Sequence, residues 1–425
     1  MEKRYPEIKR VLIINQQSVD SDNATGITLR SIWEEWPRGL VMEVCINDVA
    51  SNSYSGITKV YAHQSAILKL AQTRMGRSAN TFMKGNQKTK NTVFSKINTL
   101  LRQYLVSCVM SMKAKLTQSE LKQIERFKPE VIYTLGSNVT TLKLANKLSQ
   151  MFHIPIIIHF MDNWVEHLQW ENNPLIKFYK NRLHKYLLLC INRSVDAIAI
   201  SDSMSKHYTK IFGLKMFTIM NSVDFYEMEC KSKKIVAPLK FVYAGGLHLD
   251  RWQVLREIAI TINRSRVGTL FIYSNNLDEY KDVFEGIPVV FKQAVSHNNI
   301  KSVYEAADVL VHVEKADPAK LGFFKYSIST KIPEYLSTGR PILFFGPREM
   351  GLFEYLSNNR AALCASNESE LNDCIDLLKD QYYLDEIVDN AKELARKKHD
   401  VKIVRECLRD AVNYAVSKKS FIAEL

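Results

Sequence analysis

The stretch Tyr326 to Pro347, YSISTKIPEYLSTGRPILFFGP, holds the residue types best placed to do chemistry. Ser327, Ser329, Thr330 and Lys331 come first, and a helix is predicted to begin after them, with Pro333 in its first turn, where proline is tolerated. Gly339 and Pro341 end that helix, and a buried strand, ILFF, follows. Backbone N–H groups at a helix start form a natural phosphate site, and Lys331 would add a positive charge beside it. Glu334 would lie one turn along, where a carboxylate can accept hydrogen bonds from two adjacent ribose hydroxyls. The alternative is a capped helix that carries a lysine and a glutamate on its surface.

Other constellations are less specific. Asp20-Ser-Asp22 has the spacing of a metal-binding acid pair, but it stands in the first loop of a strand–helix pattern, the wrong architecture for that motif. His159, Asp162 and His167 lack ligand spacing for a metal, so no metal is expected. His159 reads either as a buried strand histidine or as a site residue. Asn23-Ala-Thr and Asn138-Val-Thr match glycosylation sequons, which have no meaning in a cytoplasm. Neither GxxxxGK[ST] nor GxGxxG occurs, which argues against nucleotide hydrolysis and dinucleotide redox chemistry.

Short apolar runs alternate with helical stretches and must position these residues. Val11–Asn15, Val41–Asn47, Val131–Leu135, Pro155–Phe160, Asp196–Ile200 and Phe217–Met220 read as strands. The basic segment Lys231–Pro238 reads as a linker. The pattern then restarts with Phe241–Ala244, Thr269–Tyr273, Val289–Phe291, Val309–Val313 and Ile342–Phe345. Helices are expected between them, among others at Val139–Met151, Trp252–Ile262 and Lys301–Ala307. The fold class is therefore α/β, with two doubly wound parallel-sheet domains, and ligands are expected at the carboxyl ends of the strands, in a cleft between the two.

A chain of 425 residues suits two domains. No apolar run approaches the roughly 18–20 residues that cross a bilayer, and MEKRYPEIKR is too charged for a signal peptide. Seven scattered cysteines without CxxC spacing fit reduced thiols in a cytoplasm. The net charge of +13 is unevenly spread, since no acid lies between Asp48 and Glu120. That basic 59–115 region would attract phosphate on lipid, substrate or nucleic acid, or else simply keep the surface solvated. Within it, Val93, Ile97, Leu100, Leu101, Tyr104, Cys108 and Met112 share one helical face. That face either packs on a core or meets a membrane or a lipid-linked acceptor.

The segment around Glu334 resembles the nucleotide-sugar signature of GT-B glycosyltransferases, particularly glycosyltransferase family 4 and its relatives in bacterial surface-polysaccharide synthesis. Its core reads Glu334-Tyr-Leu-Ser-Thr-Gly-Arg-Pro. The resemblance extends to DAIAISD at Asp196–Asp202, Asn221-Ser-Val-Asp224, FVYAGGL at Phe241–Leu247 and Ala306-Ala-Asp-Val309. It implies that Glu334 binds the nucleotide ribose and that the amides at Ser329 and Thr330 approach the diphosphate. Gly245 and Gly246 form the glycine turn, and Arg251 stands in for the family's phosphate-binding lysine. Gly26 corresponds to a glycine that lets backbone approach donor or acceptor. There are three departures. Tyr326 replaces the first of the family's paired glutamates, for which Glu314 could supply a carboxylate to the sugar. Gly246 replaces a phosphate-binding arginine. Met161-Asp162 replaces a His-Asp pair, leaving Asp162 to meet the reacting sugar or the acceptor hydroxyl.

The expected organisation is an acceptor domain at 1–230, a donor domain at 231–400, and a final stretch, 401–425, whose helix packs back on the first domain. The expected function is transfer of a sugar from a nucleotide-sugar to a saccharide or lipid-linked acceptor in cell-surface polysaccharide synthesis. The reaction would need no cofactor or metal and would retain the anomeric configuration. It would take place in the cytoplasm, at the inner face of the cell membrane through contact of the basic region with anionic lipid. Two other readings share the donor site: a GT-B nucleotide-sugar epimerase and a non-catalytic binding scaffold. Nucleic-acid binding has no motif to support it.

Overall fold

The structure, a computed structural model, describes residues 8–21, 23–46, 56–63, 93–168, 173–230, 234–275, 277–296, 299–315 and 318–418. Asp22, Asn47, the basic residues from Lys69 to Lys90 and residues 231–233 of the linker lie outside the described residues, as do the side chains of Val93 and Ile97. The chain forms two compact units. The first runs to Met220 and resumes at Val404; the second is formed by Asn221–Ile403.

Unit 1 is built on a seven-stranded sheet of β1 (Val11–Asn15), β2 (Val41–Cys45), β3 (Thr58–Tyr61), β4 (Val131–Thr134), β5 (Ile156–Phe160), β6 (Asp196–Ala199) and β7 (Lys215–Thr218). Its order is β3-β2-β1-β4-β5-β6-β7 and every pairing is parallel. Strands such as VLIIN and IIIHF are buried at every position, as a parallel sheet covered on both faces requires. Leu29, Ile32 and Trp33 of the helix Ala24–Trp33 pack on β1 and β2 in the same core as Val404, Leu408 and Val412 of the last helix. Arg405 fastens that helix: its guanidinium donates to the Ser31 carbonyl and to the carboxylates of Glu34 and Glu35.

Unit 2 carries a six-stranded parallel sheet of β8 (Leu239–Ala244), β9 (Gly268–Ser274), β10 (Val289–Gln293), β11 (Val309–Val313), β12 (Ile342–Phe345) and β13 (Leu363–Ala365). Its order is β10-β9-β8-β11-β12-β13. In each unit the winding reverses next to the first strand, between β1 and β4 and between β8 and β11. At such a switch point the two flanking connections diverge to opposite faces and open a crevice at the carboxyl edge.

Some elements differ from the sequence expectation. The last strand of unit 1 begins at Lys215, because Asp196 of β6 pairs there, and Ile219 and Met220 are buried beyond the end of the ladder. The amphipathic helix runs over Val93–Val109 and stops short of Met112. Its predicted apolar face is not uniformly covered: Leu101, Tyr104 and Met112 are 48%, 38% and 41% exposed, and Leu105 is 51% exposed. Among the described residues no helix is long and apolar enough to cross a membrane.

Candidate functional site

The switch point of unit 2 collects charge. β8 ends at Ala244 and leads through Gly245 and Gly246 to the helix Arg251–Ser265, whereas β11 ends at Val313 and delivers Glu314. Because β8 and β11 are adjacent and parallel, the two segments meet. Arg251 Nη2 donates to Glu314 Oε2 at 2.8 Å and to Oε1 at 3.0 Å, with Nε 3.3 Å from Oε2. His312 Nε2, from within β11, stands 3.2 Å from Glu314 Oε1. Burial alone would push the Glu314 carboxyl up, but the His312 and Arg251 contacts outweigh it and hold its pKa at about 2. The same pair works in reverse on Arg251, where the Glu314 charge overcomes burial and raises the guanidinium.

Lys331 enters the same place from the far side of the sequence. Its Nζ lies 5.3 Å from the centre of the Tyr243 ring. It also occupies the space that a Cβ on Gly245 would take. The His248 imidazole fills the corresponding space at Gly246, and the Tyr243 hydroxyl donates to the Gly246 carbonyl at 2.7 Å, closing the turn. Burial, reinforced by Arg251, lowers the Lys331 pKa to about 8. Burial, followed by Arg251 and Lys331, lowers that of His248 as well. With Glu314 taken up by Arg251, the Lys331 ammonium, which feels Glu334 from the same segment, leaves this crevice suited to an anion.

Lys331 is the residue that caps the short helix Ile332–Ser337. Its own N–H approaches Ser329 Oγ at 3.5 Å, and the Ile332 N–H donates to the Ser329 carbonyl at 3.1 Å. Thr330 is exposed, and Tyr326, with Lys325 over its ring, is buried. Glu334, half-buried on the helix, accepts a hydrogen bond from the Tyr304 hydroxyl at 2.8 Å. Arg340 ties the end of this segment to the strand entry before β11 by donating to the carbonyls of Ala307 and Glu305, at 2.9 and 3.1 Å.

The switch point of unit 1 has a different character. The Leu135 N–H, after β4, donates to Asn15 Oδ1 at 2.8 Å, and Asn138 Nδ2 donates to Gln16 Oε1 at 2.8 Å. Glu43, fully buried in β2, accepts from Ser18 Oγ at 2.7 Å and from the Val19 N–H at 2.9 Å. Asp20 is paired with Lys59. Gly26 donates its N–H to Asn23 Oδ1 at 2.9 Å in the first turn of the helix Ala24–Trp33. A Cβ on Gly26 would collide with the Ser21 carbonyl, so the close approach it permits is to its own loop. Asp162 lies two residues beyond β5 and is half-buried, next to Asn163, which accepts from the Tyr208 hydroxyl at 2.7 Å. His159 is buried within β5 with Nδ1 2.7 Å from the Tyr133 hydroxyl, and burial lowers its pKa to about 3, so the ring is neutral.

The structure thus brings together Gly245, Gly246, Arg251, Glu314 and Lys331, with Ser329, Thr330 and Glu334 on the segment that carries Lys331. Gly26 and Asp162 lie in unit 1. Sequence reasoning missed Tyr243, His248, His312 and Tyr304. A signal was available for the first two, which bracket the glycine pair in FVYAGGLHL. For the other two, a histidine and a tyrosine in apolar surroundings read as ordinary core.

No family model matches the chain, and no curated protein matches it by sequence. Solved structures do match in shape. The Anabaena protein HepE in complex with UDP superposes with a TM-score of 0.61 at 14% identity, over 95% of this chain and 100% of its own. The complex of HepE with UDP-glucose gives a TM-score of 0.59 at 14% identity, over 95% and 99%. Sucrose-phosphate synthase from Thermosynechococcus elongatus gives 0.58 at 12% identity, over 94% and 96%. A Staphylococcus aureus TarM mutant in complex with fondaparinux, alpha-GlcNAc-glycerol and UDP gives 0.55 at 11% identity, over 96% and 100%. At such identities the likeness defines a fold: the two Rossmann-like sheets are those of GT-B glycosyltransferases.

Proposed function

We propose that this protein is a glycosyltransferase that takes a sugar from a nucleotide-sugar held by unit 2. The observation that carries the reading is the pair of cations, Lys331 and Arg251, at the switch point of a GT-B donor-type sheet. The solved complexes of HepE and TarM support it, since those proteins bind UDP in the same fold. In this reading the donor pyrophosphate lies against Lys331 and Arg251, joined by the amides of Ser329 and Thr330, beside the glycine turn that lets the Lys331 ammonium lie close to the backbone. Glu334 accepts from the ribose hydroxyls. The two cations stabilise the negative charge that builds as the nucleotide leaves, so the site works without a metal ion. The acceptor oxygen bonds to the anomeric carbon as the carbon–phosphate-oxygen bond breaks, with retention of configuration, and the acceptor proton passes to Asp162 or to the leaving phosphate. Since both Glu314 oxygens are engaged, we assign Glu314 to holding Arg251 rather than to the sugar, and Tyr326 to packing beneath the segment.

The acceptor is a saccharide or a lipid-linked saccharide in surface-polysaccharide synthesis. The exposed Leu101 and Leu105, inside a stretch without acids, support contact with an anionic membrane at its cytoplasmic face. The test is nucleotide release from a panel of nucleotide-sugars, with and without saccharide acceptors, by the wild type and by Lys331→Ala and Glu334→Ala. The expected result is acceptor-dependent release that both substitutions abolish. Turnover of donor alone into an epimer would replace this reading with an epimerase, and binding without turnover would leave a scaffold. Normal activity in both variants would refute the site.

A further inference from the structure

A carboxylate recognises a vicinal diol well only when its plane is fixed, because a freely rotating glutamate loses rotamer entropy for each bond it makes. Glu334 sits on a helix of six residues, Ile332–Ser337. A fixing group comes from another helix, Ile300–Glu305. There Tyr304, only 1% exposed, directs its hydroxyl at Glu334 Oε2 over 2.8 Å. Its ring is itself immobilised edge-on against Tyr335, with centroids 5.2 Å apart. The end of its helix is held by Arg340, through the carbonyls of Glu305 and Ala307. Two helices that meet the site from different parts of the chain are therefore locked together, with the phenol as a rigid donor between them. Burial and the neighbouring Tyr335 and Glu334 push the phenol pKa up, so the hydroxyl keeps its proton at any physiological pH.

The geometry points to Tyr304 as a positioning residue: it orients the Glu334 carboxylate toward the ribose diol and so makes the site select ribonucleotides over 2′-deoxyribonucleotides. The assignment rests on Glu334 as the ribose contact and adds a specificity to it. A packing residue at position 304 would affect binding of every nucleotide alike. A residue that aims the carboxylate affects the ribose hydroxyl specifically.

The experiment is calorimetric titration of the full chain with UDP, GDP, ADP and CDP and their 2′-deoxy counterparts. For the base that binds, the wild type is expected to favour the ribo form about tenfold, the scale of one hydrogen bond to a charged group. In Tyr304→Phe that ratio should fall to about two- or threefold, with affinity for the 2′-deoxy form nearly unchanged. Glu334→Asp, which draws the carboxylate away from the phenol but keeps its charge, should collapse the ratio in the same way. The double variant should add nothing further, as coupled positions require. If Tyr304→Phe fails to fold, Tyr304→Leu, which also removes the donor and leaves Glu334 intact, decides in its place. A wild-type ratio in the decisive variant overturns the inference, whether both affinities drop together or neither does. If no nucleoside diphosphate binds the wild type, the inference falls together with the donor-site reading. A ratio that survives in a chain that does bind sinks the inference alone.

Discussion

The two switch points share a topology and differ in chemistry. Around β1 and β4 the loops are fastened to one another: Asn15 to Leu135, Gln16 to Asn138, and Glu43 to Ser18 and Val19. Lys59 there is matched by Asp20, and the Arg30 guanidinium is spent on the carbonyls of Val19 and Ser21. Around β8 and β11 the groups do not cancel. Arg251 is balanced by Glu314, and Lys331 adds charge that sits over a glycine rather than a carboxylate. Charges tied to partners within a loop offer little to an anion, whereas Lys331 beside Arg251 suits one.

This contrast can be broken from either side. The largest effect is expected from Lys331→Ala, which should weaken nucleoside diphosphate binding by roughly 100-fold, the scale of two charge-assisted contacts, while thermal unfolding shows a retained fold. Next is Glu43→Ala, which leaves the Ser18 hydroxyl and the Val19 N–H without their buried acceptor. It should cost about 1–3 kcal/mol in chemical denaturation and leave diphosphate affinity unchanged. Gly245→Ala sharpens the comparison further. The new methyl meets the far end of the Lys331 side chain and also the buried Tyr243 hydroxyl that closes the turn, so stability should fall by about 1–3 kcal/mol. The ammonium must also move, and affinity should fall about tenfold by the same titration.

The pH response should be the mildest. With a pKa of about 8 in the folded chain, Lys331 is charged below that pH and neutral above it. The folded pKa lies under the ordinary lysine value, so binding that needs the ammonium is intact at pH 7. It should weaken about tenfold by pH 9, as calorimetry in matched buffers would read. Lys331→Arg should remove this slope.

Much of the architecture was legible because a buried parallel strand announces itself as an unbroken apolar run. VLIIN, VLVHV and ILFF fall where the sequence places them. The strands that escaped lack that signal. β3, TKVY, is an edge strand with only Val60 buried, and β13 is only three residues long. Of the charged members of the candidate site, Lys331 and Glu334 stand out by type and position ahead of ILFF, whereas Arg251 is read only from the family resemblance. The roles of its neutral members were not legible. Gly245 is required because Lys331 lies across it, a contact between positions far apart in sequence. Glu314 looks like a free acid in VHVEK and becomes an anchor only once Arg251 is seen beside it. Glu43 carried a readable warning, an acid inside an otherwise apolar strand, that only the loop after β1 explains.

The central claim is that the diphosphate of a nucleotide lies at the switch point of unit 2 and not at that of unit 1. Amide hydrogen exchange with and without UDP, GDP and ADP tests it most directly, because it locates the ligand without needing turnover. The account expects slowed exchange in the segments Gly245–Arg251 and Ser327–Glu334, with no change in the loop from Gln16 to Ser21. Protection in that loop, with none around Lys331, would contradict it.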